Sequence, residues 1–216
     1  MIKRHSTAAL LALTASMPLA PAVRAEPAAG DFDYYVLALT WSPTWCEAEV
    51  AAGDAPEQCA PHKDLGFSLH GLWPQYDEGG WPEYCDTVER DPPRAQSANM
   101  ADIMGSGGLA WYQWKKHGRC SGLSASEYFA LSRLAYASVK RPDQITGTMT
   151  AAGIEEAFLS ANPALRPDDV IVACSGGKLR EVRVCLTRDL DPRACAADVL
   201  EDACRSNRGL SIPPIP

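Results

Sequence analysis

FSLHGLWPQ (residues 67–75) is an apolar run that carries one histidine and closes on a proline and a glutamine. Leu65 to Leu72 has the length and bulk of a buried β-strand, and Pro74, which has no amide hydrogen to donate, is expected to stop it. A histidine inside such a strand is either a structural ring satisfied by a backbone carbonyl or a group held for proton transfer. Upstream, Asp33 to Thr40 sets Tyr35, Leu37 and Leu39 at alternate positions, the pattern of a half-buried strand that Pro43 ends. The stretch from Cys46 to Cys59 is expected to be a loop, as is Gln75 to Pro93, rich in Gly, Pro and Asp.

Downstream lies a second run, WYQWKKHGRC (residues 111–120). Leu109 to His117 reads as a helix, with Gly118 placed for a left-handed C-terminal turn. On that helix Gln113, Lys116 and His117 fall at i, i+3 and i+4 and share one face. Ser124 and Glu127 form a capping-box pattern opening a helix to about residue 140. Tyr128, Leu131, Leu134 and Ala135 are expected on its buried face, and Pro142 closes it. Thr150 to Ala161 reads as a further helix. Val170 to Cys174 and Leu179 to Leu186, separated by Gly176-Gly177, read as an antiparallel hairpin. Strands and helices mix without a βαβ rhythm. The expected fold is therefore α+β, a central antiparallel sheet with several helices packed around it.

The N-terminus carries Lys3 and Arg4, an apolar run from Ala8 to Ala20, and then Val23-Arg24-Ala25, the layout of a secretory signal over residues 1–25. That run is too short to span a bilayer, and no later stretch is apolar for the roughly 20 residues a spanning helix needs. Residues 26–216, about 190 in all, fit one domain. All eight cysteines lie in this part: Cys46, Cys59, Cys85, Cys120, Cys174, Cys185, Cys195 and Cys204. An even count behind an export signal points to four disulfides, with on the order of a hundred pairings open from sequence. Zinc is the competing reading, but neither C-x-x-C nor H-E-x-x-H occurs. Without the leader, 17 basic residues face 27 acidic ones, a net charge of −10. Such a surface argues against a protein that coats nucleic acid, yet a local cation cluster is enough to grip one phosphodiester.

The two runs resemble the active-site segments of the ribonuclease T2 family, in which a strand carries HGLWP and a helix ends in K-H-G-x-C. Here these are His70 to Pro74 and Lys116 to Cys120. The likeness continues through Trp81 and Cys85, the Ser-Gly-Leu-Ser of residues 121 to 124, Cys174 to Gly177, and Glu181 to Cys185. It implies a disulfide-stapled α+β endoribonuclease that needs no metal or cofactor. It also implies the pairing Cys85 with Cys120, Cys174 with Cys204, Cys185 with Cys195, and Cys46 with Cys59.

RNA supplies its own nucleophile, the 2′-hydroxyl beside the scissile phosphate. A catalyst need only remove that proton, stabilise the phosphorane and protonate the leaving 5′-oxygen. Two imidazoles suffice, since one neutral and one protonated ring coexist at mildly acidic to neutral pH. Three histidines lie beyond the leader, and His62 falls outside both runs and is read as structural. The resemblance makes His117 the general base and His70 the general acid, although the residues alone leave the reverse open. It places Lys116 beside the phosphate, and Trp73, Trp81 and Gln75 around a base. One departure stands out: most of the family has His-Glu where this chain has Tyr112-Gln113. A carboxamide hydrogen-bonds but carries no charge and no titratable proton, which bears on the rate and the pH optimum. The expected partner is single-stranded RNA, not DNA or a membrane, met by a monomer exported to the periplasm or the medium. The alternatives are an RNA-binding or interaction protein of little turnover on the same scaffold, and a disulfide-rich binding module without a nucleic-acid role.

Overall fold

Strand β1, Tyr34–Trp41, is buried along almost its whole length. This corrects the half-buried strand expected from its alternation. Leu37 and Leu39 enter the main core, whereas Tyr34 and Val36 join a second apolar cluster on the opposite face. The computed structural model describes residues 27–54, 56–205 and 207–215, and the expected leader, residues 1–25, lies outside the described residues.

The other strands are β2 (Phe67–Gln75), β3 (Gly147–Met149), β4 (Val170–Ser175), β5 (Lys178–Leu186) and β6 (Leu210–Ile212). They form one sheet in the order β2-β1-β5-β6-β3, with β4 also on β5. All pairings are antiparallel except a single parallel contact between β5 and β6. Gly176 and Gly177 both take positive φ in the β4–β5 turn, a conformation for which glycine pays no Cβ penalty. The fold is α+β, as expected, but the sheet is slightly mixed.

Contrary to expectation, Pro74 does not stop β2, which runs on to Gln75. The reason is that β2 is the terminal strand of the sheet, where a missing donor need not break a ladder bond. Two carbonyls of this strand are taken up by tyrosines of a helix, α5 (Ala125–Ser138): Tyr136 donates to the Phe67 carbonyl and Tyr128 to that of Leu72, each at 2.8 Å. The strand that carries His70 is thus pinned on its outer side.

Two strands break phase. Ala38 faces Gly71 while Leu39 faces Leu69, so His70 is an extra, unpaired residue in β2. Likewise Ala173 faces Glu181 while Cys174 faces Leu179, which makes Arg180 the extra residue in β5. Such bulges re-aim side chains. Leu69 and Leu72, three apart, both reach the main core, and Leu179 and Val182 do the same. The residues between them are left for the other face.

The expected loop from Cys46 to Cys59 is corrected, since much of it belongs to helix α1, Ser42–Ala52, with Pro43 in its first turn, where a proline costs no hydrogen bond. Two short helices not foreseen, α2 (Arg94–Ala98) and α3 (Ala101–Met104), precede α4 (Gly107–Lys116), whose N-terminus is capped by the Ser106 hydroxyl. Gly118 does not make the expected left-handed turn; the chain continues into a short 3-10 turn, and Gly122 takes the positive φ. Gly118 is needed for space instead, because a Cβ there would lie 2.6 Å from the Trp114 ring and 2.8 Å from Tyr128. The capping box of α5 forms as expected, but Leu134 is 62% exposed, and Phe129 and Ser132 join Tyr128 and Ala135 on the buried face. Helix α6 (Ala151–Ala161) is capped by Thr150, and α7 (Ala197–Glu201) follows the last disulfide loop.

Four disulfides join Cys46 to Cys59, Cys85 to Cys120, Cys174 to Cys204 and Cys185 to Cys195, the pairing the resemblance implies. No helix among the described residues is long and apolar enough to cross a membrane.

Candidate active site

The bulge in β2 and the last turn of α4 open onto one cleft of about 510 Å³. Its walls include His70, Trp73 and Gln75 from β2, Tyr112, Gln113, Lys116 and His117 from α4 and its C-cap, and Trp81 from the following loop. All eight residues singled out from the sequence therefore meet in one place.

Trp73 is the hub. Its indole packs edge-on against the His70 ring at 5.0 Å and lies 5.4 Å from the His117 ring, with the Arg183 guanidinium 5.4 Å above it. Its N–H donates to the Gln113 side-chain carbonyl at 2.8 Å. Because an indole nitrogen only donates, the atom of Gln113 that faces it must be the oxygen. Gly71 makes this contact possible: a Cβ there would lie 2.3 Å from the indole nitrogen and 2.4 Å from the Gln113 oxygen.

The two histidines live in opposite surroundings. The Nδ1 of His70 lies 2.7 Å from Glu181 Oε2, and an ionised carboxylate only accepts, so the ring donates from Nδ1. Glu181 also receives the Arg183 Nε at 2.7 Å, and Arg183 reaches Asp202 at 2.6 Å. Burial pushes the Glu181 carboxyl upward, but the hydrogen bond and charge of His70, together with the charge and hydrogen bond of Arg183, prevail and bring it down to about 2. A fixed negative charge thus faces His70.

His117 is buried, 5% exposed, and its Nδ1 has no hydrogen-bond partner among the described residues. Burial, followed by the positive charges of Lys116 and His70, lowers its pKa from 6.5 to about 3. The ring is therefore held in its neutral form at neutral pH. Lys116 is held loosely, its ammonium 3.4 Å from Glu83, a partly exposed pair of small energetic weight.

Gln75 is 4% exposed at the foot of the cleft, while Trp81 (51%) and Tyr112 (45%) stand at its rim. The Tyr112 hydroxyl lies 3.4 Å from that of Tyr84. The Cys85–Cys120 bridge ties the loop that carries Trp81 to the 3-10 turn directly behind His117. His62 is exposed on a 3-10 turn and does not line the cleft. Among the described residues, no group of three or more His, Cys, Asp or Glu side chains is placed to hold a metal.

Sequence reasoning missed Glu181, Arg183 and Asp202. A signal was present for the first two, since β5 is flanked by strands on both sides and a Glu and an Arg inside such a strand must be paired or functional. Asp202 follows α7 and carries no such mark.

The model of the ribonuclease T2 family matches residues 32–195 of the chain. The chain is 44% identical over 120 residues to a ribonuclease of Aeromonas hydrophila, a match covering 54% of this chain and 52% of that relative. It therefore spans about half the length of that relative. Its fold is similar to that of an RNase-related protein from Calystegia sepium, with a TM-score of 0.68 and 24% identity over 86% of this chain and 98% of the other. It is also similar to RNase NT, solved in complex with 5′-AMP, with a TM-score of 0.59 and 21% identity over 85% of this chain and 99% of the other.

Proposed function

The chain belongs to the ribonuclease T2 family, and from that premise we propose that it is an exported endoribonuclease that cleaves single-stranded RNA without a metal. His117 takes the 2′-hydroxyl proton, the 2′-oxygen attacks phosphorus, the bond from phosphorus to the 5′-oxygen breaks, and His70 protonates the leaving oxygen. The products are a 2′,3′-cyclic phosphate and a free 5′-hydroxyl, and water later opens the cycle. Lys116 stabilises the phosphorane. Trp73, Trp81, Gln75 and Tyr112 bind nucleotide, and Gln113 holds Trp73 and contributes a polar contact to the phosphate.

One observation carries this reading: two histidines of opposite character line one cleft. His117, buried beside Lys116, is held unprotonated, so its ring has a lone pair with which to take a proton. His70, whose Nδ1 is held by the ionised Glu181, is suited to carry and deliver one. The assignment of base and acid that the resemblance implies is thus favoured over its reverse. Stacking on exposed aromatic rings explains how an acidic chain binds RNA, since it needs no basic surface. RNase NT, of the same fold, was solved with a nucleotide bound.

We also assign residues 26–216 to one mature domain and residues 1–25 to a cleaved leader. Four disulfides suit an oxidising compartment, either the periplasm or the medium. The test is cleavage of a dinucleoside phosphate and of an RNA oligomer in EDTA, with a DNA oligomer alongside and the ends identified by mass. Cyclic phosphate ends are expected from RNA alone, and His70→Ala and His117→Ala should each lose at least about 10²-fold in rate. Activity abolished by EDTA, or none in the parent protein, overturns the reading.

A further inference from the structure

Three hollows converge on His70. One is the cleft described above. A second, also about 510 Å³, is lined by Trp45, Gln58, Ser68, His70 and Leu109 and runs toward the N-terminal end of α4. On the ribonuclease reading, a single phosphodiester at the two histidines needs two places for bases, one on either side, and these two hollows provide them. The third lies between α1 and the β4–β5 hairpin, again about 510 Å³, with His70 and Trp73 at its inner end and Ser175, Lys178 and Arg180 further out. It is surplus to a dinucleotide.

We propose that this third hollow binds a further nucleotide of the same RNA strand, outside the two joined by the scissile phosphate, with Trp45 as its stacking face and Arg180 as its phosphate contact. The inference rests on the ribonuclease reading for the identity of the strand. Trp45 stands half-buried on α1 and lines both this hollow and the second. The side chain belongs to neither apolar cluster and makes no hydrogen bond or ring contact among the described residues. Tryptophan is normally well buried on average, and one left beside a groove offers a flat apolar face that any base can stack on.

The charges agree. The groove carries Glu47, Lys178, Arg180, Glu181 and Arg183. Glu47 is engaged with Lys178, and Glu181 with His70 and Arg183. Arg180 is exposed and has no carboxylate partner among the described residues. The bulge puts it there: by plain alternation from Val182 and Val184 it would point into the main core, and as the extra residue of β5 it turns to the groove beside Glu181. An uncommitted cation in a chain of net charge −7, continuous with the catalytic cleft, suits the phosphate of a strand already held at His70.

The test compares a dinucleotide with trinucleotides extended at the 5′ or the 3′ end, each with a 2′-O-methyl group blocking cleavage and a fluorescein label, by anisotropy at 0.05–0.5 M salt. In the parent protein one extension is expected to tighten binding roughly tenfold, as one stacked base does. Trp45→Ala and Arg180→Gln should bring that ratio close to one. Arg180→Gln should also reduce the salt slope of the trinucleotide by about 0.7, the loss of one phosphate contact on a single strand. Thermal melts check that both variants fold. Equal affinity for dinucleotide and both trinucleotides in the parent, or a ratio unchanged in both variants, overturns the proposal. Because the probes are not cut, a length effect that these substitutions abolish supports it even if the parent fails to cleave RNA, which would overturn only the catalytic reading.

Discussion

Replacing Gln113 by glutamate restores the carboxylate that most of the family carries and sets it one helical turn before His117. The site accommodates it: Gln113 is 2% exposed, and its side-chain oxygen already accepts the Trp73 N–H, a bond a carboxylate keeps and strengthens. Side chains four apart on a helix lie about 5–6 Å from each other at Cβ. At that separation, with an effective dielectric constant of about 20, a carboxylate favours an imidazolium by about 2–3 kcal/mol, or about two pH units. The His117 pKa, about 3 in the parent, should therefore rise toward 5, the two groups titrating as a pair. A stronger base also speeds proton abstraction, so the rate above pH 6 should increase up to about tenfold, following Brønsted behaviour. Proton NMR of the imidazole from pH 2.5 to 8, alongside the pH profile of kcat/KM on a dinucleoside phosphate, measures both. A His117 midpoint that moves by less than about half a unit, or moves down, refutes the argument that the missing carboxylate and burial together hold this ring neutral.

Three further outcomes follow from the same geometry. Gly71→Ala forces a Cβ against the Trp73 nitrogen and the Gln113 oxygen, so turnover should fall at least about tenfold and stability by about 1–3 kcal/mol, read by kinetics and urea melts. In the folded state His117 has a pKa of about 3, below its unfolded value of about 6.5, so the unfolded chain binds more protons between them. Its contribution is present above pH 6.5 and lost as pH falls toward 3, up to about 4–5 kcal/mol; Glu181 adds a loss in the same direction as pH falls from about 4.5 to 2. Urea midpoints should drop steeply from pH 6.5 to 4, and His117→Phe should flatten that slope. Replacing Cys85 and Cys120 by alanine opens a loop of 35 residues, a loss of about 4 kcal/mol by chain entropy. Because that bridge fixes the turn behind His117, the folded fraction should also turn over more slowly, whereas equal rate constants per folded molecule would leave the bridge a purely thermodynamic role.

The site was more legible in the sequence than the sheet that carries it, and the cause is a single physical device used twice. Period-2 alternation locates strands by assuming that each residue opposes one partner. At His70 and at Arg180 one residue opposes none, so the phase of the strand changes where its chemistry sits. The trace of this in the sequence is a core spacing of three, Leu69 to Leu72 and Leu179 to Val182, which an alternating template absorbs as noise. Pro74 misled for a related reason: it looked like a stop but lies on an edge strand, a position that only the fold distinguishes, whereas β1 does end before Pro43, which opens a helix. The HGLWP and KHG runs, by contrast, needed no phase, because their residues are contiguous and each stays on its own element. What could not be read was any partner supplied from afar. Glu181 reaches His70 across β1 beside Thr40, the β1 residue opposite it, and Asp202 reaches Arg183 from beyond α7. Residues of that kind are set by register and packing, so a bulged strand that displaces a histidine from the ladder also decides which distant carboxylate will hold it.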